Sequence, residues 1–523
     1  MRRSRMSAAA VAVAMAVFLI AACSSNNDSA RPGDADGKSS SILTSRTEGR
    51  SGPVVLQFYM LGNAPKDLPI IEERINEMAL EDLNVAVKFH YTTWTEWDQK
   101  YKLLLSTGRA VDLIFTSDWA FYQQYAHQGA FMALDELLPL AAPKLQAFVP
   151  KEMWDAVRID GRIYTVPSTY KEYVTGGFIW REDLRRKHGL PTPVDLPSFE
   201  AYLEGIRQHE PGIQPAAFGS LVDSSIQHAY LEVERKAVGP MPYGLYASYD
   251  KPNEIGAYWG TPSHLEDLKK YKSWAEKGYL SKNVLNDPVS MQDQIASGEA
   301  AALLSDNPTR YNAMLSQMQA QHPDWDLGYT PFGRSTGYAT PVHPMHNGFA
   351  IAAGSEHPEE ALAFYEKLVT DERYNRLTQY GIEGVHYEVK DGFYHALDKS
   401  GFEREGMIGW AWRNPDYMLF EPSYERVQRI FNELDQIQKP DLYTRFVEDY
   451  TEYQAERAAL EQVVKQYLYP LLAGQIEDVK EGLAIFMEKA NEAGLPKIQQ
   501  SYMKQWKDYL ANGIVSNQGE KPQ

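Results

Sequence analysis

Two places in this sequence combine a carboxylate with aromatic rings, Asp118-Trp119 and the run Tyr170-Lys171-Glu172-Tyr173, and a third sets the tryptophans Trp410 and Trp412 beside Arg413 and Asn414. A sugar offers apolar C–H faces that stack on rings and hydroxyls that need charged or amide partners, so these residue types suit saccharide recognition. Paired carboxylates in an aromatic cleft are also the equipment of glycoside hydrolysis, so residue type alone leaves binding and hydrolysis both open. The motifs of other chemistries are missing: there is no G-x-S-x-G elbow, no phosphate loop of the G-x-x-x-x-G-K type and no H-E-x-x-H helix. His343 and His346 have a ligand-like spacing, but Pro344 between them breaks a helix and no third ligand is evident. No metal and no cofactor are expected.

These residues must be positioned by elements. Val54 to Met60 is a short apolar, β-branched and aromatic run that reads as a buried strand ending at Gly62-Asn63. A helical pattern follows (Ile71, Ile75, Met78, Ala79), then a strand from Val85 to Tyr91, a helix with Trp94, Trp97, Tyr101, Leu104 and Leu105, and a strand from Leu113 to Thr116. Strands alternating with helices predict an α/β fold with parallel βαβ units, whose ligands sit beyond the carboxyl ends of the strands. Asn63, Asp118 and Trp119 stand at such ends. Trp94 and Trp97, at helical spacing with Tyr101, are expected in the core.

The first residues decide where the rest works. Arg2, Arg3 and Arg5 precede an apolar run from Ala8 to Ala22, too short for an ordinary membrane span and matching a secretory signal over residues 1–22. The run closes on Ile20-Ala21-Ala22-Cys23, which resembles the bacterial lipoprotein box, where the thiol receives a diacylglycerol and becomes the new N-terminus. Cys23 is the single cysteine, so a disulfide framework is excluded. Residues 23–51 are polar and small, and read as a disordered tether; Asp34 to Gly37 lacks the downstream glutamate of a calcium loop. The chain carries 52 Lys plus Arg against 70 Asp plus Glu, and losing the signal's three arginines takes the net charge from −18 to about −21. That balance opposes binding to nucleic acid or to anionic lipid surfaces. The 33 Tyr and 11 Trp exceed what a core needs and supply stacking surfaces.

Several motifs in order then resemble the extracellular solute-binding proteins of sugar ABC importers: Ser106-Thr107-Gly108 to Asp112-Leu113-Ile114, Gln128-Gly129-Ala130-Phe131 to Leu134-Asp135-Glu136-Leu137, and Asp160-Gly161 to Val166-Pro167. Phe178 to Leu184, Ser297-Gly298-Glu299-Ala300-Ala301 with Ser305-Asp306-Asn307, and Asn347-Gly348-Phe349 continue the likeness. Tyr380 to Tyr387 and Gly409 to Asn414 resemble the larger lipoprotein-A-like branch, which carries an extra helical C-terminal domain. The resemblance implies a two-lobed, periplasmic-binding-protein-like fold with discontinuous lobes: 52–169 first lobe, 170–340 second lobe, 341–420 return and hinge, 421–523 helical C-terminal domain. Within the second lobe, helices are expected near Phe199 to Ile206, capped by Ser198, and near Leu265 to Lys277. Four apolar stripes after residue 421, among them Val427/Leu434 and Tyr502/Trp506, read as helical core.

The resemblance also implies which segments face a cleft. On it we expect a ligand site of Asn63, Asp118 and Trp119 on the first lobe, Tyr170, Lys171, Glu172 and Tyr173 at the crossing, Asn307 on the second lobe, and Asn347, Glu383, Trp410 and Trp412 on the return. Trp410 and Trp412 alternate as on a strand, which would place both on one face. The expected protein is a non-enzymatic monomer, lipid-anchored through Cys23 on the outer face of the bacterial cytoplasmic membrane. It would deliver an oligosaccharide to permease subunits served by a separate ATPase. A surface glycosidase, or a sugar-sensing or adhesive lipoprotein, are the alternatives.

Overall fold

The computed structural model describes residues 52–93, 96–106, 111–218, 226–286, 289–397 and 400–513. The expected signal segment, Cys23 and the tether lie outside the described residues, as do Trp94 and the Thr107-Gly108 pair. Among the described residues no helix is long and apolar enough to cross a membrane.

The first sheet is built from β1 (Val54–Leu61), β2 (Val85–Thr92) and β3 (Leu113–Thr116), with β1 parallel to both neighbours. Between the first two runs α1 (Leu68–Leu83), which buries Ile71, Ile75 and Ala79 at four-residue spacing and ends where Asn84 takes a left-handed φ of 55°. Helix α2 (Trp97–Ser106) carries Tyr101 and Leu104 into the same core. All four residues of β3 are buried, as a strand covered on both faces requires. A distant segment completes the sheet: Gly348–Ile351 lies antiparallel to β3, with Gly348 opposite Thr116 and Ile351 opposite Leu113. One continuous core gathers Leu56 to Val166 with Met345 to Trp412.

A second, antiparallel sheet has Gly177–Arg181 at its centre, flanked by Ala302–Leu304 and Leu327–Pro331. All five residues of the central strand are buried, Phe178 and Trp180 in a core with helix Leu196–His209, Ile179 in a core with helix Pro308–Gln321. The helix at 196 differs in detail from expectation. Asp195 is its cap, accepting the Ser198 N–H at 2.8 Å, and Ser198 returns the bond from the third helical position, its Oγ accepting the Asp195 N–H at 3.1 Å.

Three segments run side by side between the sheets. The Val174 N–H donates to Thr340 O and the Val342 N–H to Glu172 O, both at 2.9 Å, while Ala339 exchanges bonds with residues 437 and 439 at 3.0 and 2.9 Å. The C-terminal helices do not build a separate core. Leu460, Leu471, Leu483 and Phe486 share one with Phe178, Trp259 and Trp274, and helix Tyr424–Asp435 shares another with Tyr173, Ile179 and Leu303. Only Tyr502, Trp506 and Leu510 stand apart, and they too pack on Met241, Leu245 and Ile255.

Candidate ligand-binding cleft

The register of β3 against Gly348–Ile351 brings two distant segments together. Continued two residues past the Thr116/Gly348 pair, it sets His346 opposite Asp118, and the imidazole Nδ1 lies 3.0 and 3.2 Å from the carboxylate oxygens. Asp118 also accepts from the Ser117 hydroxyl at 3.0 Å and the Trp119 N–H at 2.7 Å. Burial would raise this carboxyl, but the bonds from His346, Ser117 and Trp119 outweigh it and hold it below the usual range. Burial would lower His346, and Asp118 holds it above its ordinary value instead. The Trp119 indole N–H donates to His346 O at 3.1 Å, and its ring packs beside Phe115 at 5.6 Å while remaining 36% exposed.

Across from this wall, a cavity of about 500 Å³ opens between the two sheets. Thr175 and Ser305, at adjoining ends of the second sheet, line it with Glu232 from helix His228–Arg235. The chain leaves the sheet here through a left-handed Ser305, φ 75°, whose N–H donates to Gly177 O at 3.0 Å. The Thr175 hydroxyl donates to Glu232 at 3.1 Å; burial pushes the Glu232 carboxyl up to about 7 against the lowering effect of that bond and of the Gly176 backbone. A third wall comes from the C-terminal crossing: Asp441, Tyr443 and Phe446. Asp441 accepts the N–H groups of Tyr443 and Thr444 at 2.8 and 3.2 Å. The Tyr443 ring lies against Gly239, where a Cβ would stand 2.7 Å from it, so only glycine lets the loop pass this closely.

Of the expected residues, Asp118 and Trp119 line this cavity. Asn347 is buried beside them, opposite Ser117, outside the lining. The crossing cluster is turned toward its own chain: Lys171 pairs with Asp435 at 2.5 Å, the buried Tyr173 donates to the same carboxylate, and Tyr170 hydrogen-bonds Tyr424 at 3.0 Å. Glu172 binds the buried Arg413 at 2.8 Å. Asn307 caps helix Pro308–Gln321 by accepting the Arg310 N–H at 2.9 Å. Arg310 in turn lies over the Trp410 ring at 5.8 Å, a second meeting of the two sheets' elements. Asn63 and Glu383 are exposed away from the cavity, Glu383 in a turn between left-handed Gly381 and Gly384. Trp410 and Trp412 do not alternate on a strand. They stand on a 3-10 turn, whose three-residue period sends them in different directions, and Trp412 is fully buried among Phe58, Phe349 and Tyr365 with its N–H on Thr378 at 2.9 Å.

Glu232, His346, Asp441, Tyr443 and Phe446 were not legible as cleft residues. The last three had one signal: residues 441–450 interrupt the apolar stripes with tyrosines and acids that follow no helical period. Among the described residues no three His, Asp or Glu side chains gather as a metal would require.

Comparison with known proteins places this architecture. A carbohydrate ABC transporter substrate-binding protein of Streptococcus pneumoniae serotype 4 is 22% identical over 473 residues, 88% of this chain and 91% of the relative. Lipoprotein LipO of Bacillus subtilis is 23% identical over 354 residues, 62% of this chain and 67% of LipO. The fold is that of the N-glycan transport solute binding protein of S. pneumoniae (TM-score 0.68, 18% identity, 88% of this chain and 99% of that one), a protein also solved with Man1GlcNAc. The alginate-binding protein AlgQ2 shares it at a TM-score of 0.60 and 17% identity, covering 87% and 98%. Residues 442–511 match a domain of unknown function. Residues 69–373, more than half of the chain, match the family described as bacterial extracellular solute-binding protein, and the chain belongs to that family.

Proposed function

We propose that this protein is the membrane-anchored substrate-binding component of an ABC importer, capturing an oligosaccharide between its two α/β halves and delivering it to a separate permease and ATPase. The observation that carries this reading is the cavity wall of Asp118, Trp119 and His346. It offers a partly exposed indole face for a sugar ring, held by its own N–H, next to a fixed carboxylate for hydroxyls. The similarity to a carbohydrate ABC transporter substrate-binding protein and to an N-glycan transport solute binding protein supports the same ligand class. Opening and closing about the three crossing segments lets the halves trap a ligand and present a closed form to the permease. Cys23 is the lipid anchor, so Cys23→Ser is expected to release the protein from membranes in fractionation.

Hydrolysis is the second reading, because a lowered carboxyl (Asp118) and a raised one (Glu232) share the cavity, the combination an acid and a nucleophile or base would need. Family membership weighs for binding. One experiment separates them: titrating the tryptophan fluorescence of the purified protein with neutral, basic and acidic oligosaccharides, then chromatographing the mixtures. A saturable shift with intact sugar is the expected result. Breakdown products would put hydrolysis first, and silence across the panel would remove the oligosaccharide reading.

A further inference from the structure

Among the described residues the cavity is lined by three carboxylates, Asp118, Glu232 and Asp441, and by no lysine or arginine. The three are not equivalent. Asp118 is bound by His346, Ser117 and the Trp119 N–H, and Asp441 Oδ1 by two backbone N–H groups. Glu232 has a neutral donor, the Thr175 hydroxyl, and no ion-pair partner among the described residues. Cations on the neighbouring segments lie outside the lining, among them Arg445 between Thr444 and Phe446 and Lys439 over the Tyr338 ring at 5.4 Å. Lys171 is held by Asp435, Arg413 by Glu172 and Glu405, and Arg310 lies over Trp410 outside the lining.

Resting on the oligosaccharide reading above, we infer that the cavity admits neutral or amino sugars and rejects uronates, and that Glu232 is the residue that sets this selectivity. A sugar carboxylate seated against Trp119 would face the wall from which Glu232 projects, with no lysine or arginine in the described lining and with His346 already paired to Asp118, and like charges brought together between protein walls repel more than in bulk water. Hydroxyl, acetamido and ammonium groups instead donate to the Glu232 oxygens. The solved relatives include an alginate-binding protein, so this fold does not by itself decide between neutral and acidic sugars. The side chains in the cavity do.

Burial holds the Glu232 carboxyl near 7, so its charge is adjustable close to neutral pH. The titratable groups lining the cavity around it are Tyr338, His228 one turn earlier on its helix, and Asp118, His346, Asp441 and Tyr443 across it, while Tyr329, which interacts with both Glu232 and Asp306, lies outside the lining. Of these, His346 also gains positive charge as pH falls, which Glu232→Gln serves to separate.

The test is calorimetric titration of the full-length protein and of Glu232→Gln with matched probes: manno- and chito-oligosaccharides, glucosamine oligomers, and oligogalacturonates in which every ring is acidic. At about pH 8 the wild type is expected to bind its best neutral or basic probe at least about tenfold more tightly than any uronate, and Glu232→Gln to narrow that ratio severalfold while keeping the wild-type melting temperature. Lowering the pH to about 6 should narrow the ratio in the wild type, a readout that needs no variant, and should narrow it less in Glu232→Gln. Uronates bound by the wild type as tightly as neutral probes would overturn the selectivity while leaving the oligosaccharide reading intact. An unchanged ratio in Glu232→Gln and with pH would overturn the assignment to Glu232. If no saccharide of any class bound, both would fall.

Discussion

Asp118 shows how a single side chain can shape a cavity wall without itself being free. Its carboxylate fixes the Trp119 backbone and the His346 ring, and the carbonyl of His346 then takes the indole N–H, so the exposed tryptophan face is held by a closed circuit of bonds. Because Trp119 is more than a third exposed, little stability depends on it. Trp119→Ala is therefore expected to leave the melting temperature nearly unchanged while weakening saccharide binding about tenfold, roughly 1.4 kcal/mol, measured by calorimetry. The sequence displayed Asp118 and Trp119 because a strand end is a local feature. It did not display His346 as their partner, since that pairing is a register between segments more than two hundred residues apart.

Among the elements, the three crossing segments and helix Tyr424–Asp435 form the mechanical link between the sheets. Arg413, 5% exposed, is clamped there between Glu172 and Glu405, at 2.8 and 2.6 Å. Removing one partner of such a cluster leaves buried charge uncompensated, so Arg413→Ala should cost about 3–5 kcal/mol in urea unfolding. Burial alone would raise Glu405, but Arg413, with smaller help from Arg404 and Arg310, outweighs it and carries the carboxyl from the usual 4.5 down to about 2. A depressed acid contributes stability above its unfolded value that is lost as pH falls, so acid should destabilise the wild type between about pH 4.5 and about 2, and Arg413→Ala should lose that part of the slope. Tyr170 to Tyr173 looked like a ligand cluster because its composition is that of a sugar site. The helix that consumes it begins more than two hundred and fifty residues later, and composition carries no record of that contact.

For the molecule as a whole, the C-terminal helices are part of the cleft's construction. Tyr443 and Phe446 face the cavity, and Phe446 is backed by the fully buried Trp506 at 5.3 Å. Trp506→Ala is expected to lose about 3–5 kcal/mol of stability and to weaken saccharide binding as well, because the third wall loses its support; denaturation and calorimetry on one preparation would check both. A variant that lost stability but bound with unchanged affinity would show that this wall does not touch the ligand.

Taken alone, the sequence determined the elements. Hydrophobic period and turn chemistry are local, so β1, β2, β3, α1 and the C-terminal stripes were readable, as was the α/β class, and the ordered motifs carried the family. Tertiary structure decided what those elements do to one another: that Gly348 pairs with Thr116 and delivers His346 to Asp118, that the C-terminal helices join the second sheet's core, and that the crossing tyrosines are spent on a helix while Glu232 is left facing the cavity. The physical reason is that burial and pairing depend on partners distant in the chain, and the energy that fixes a side chain's direction comes from those partners and not from its neighbours in sequence.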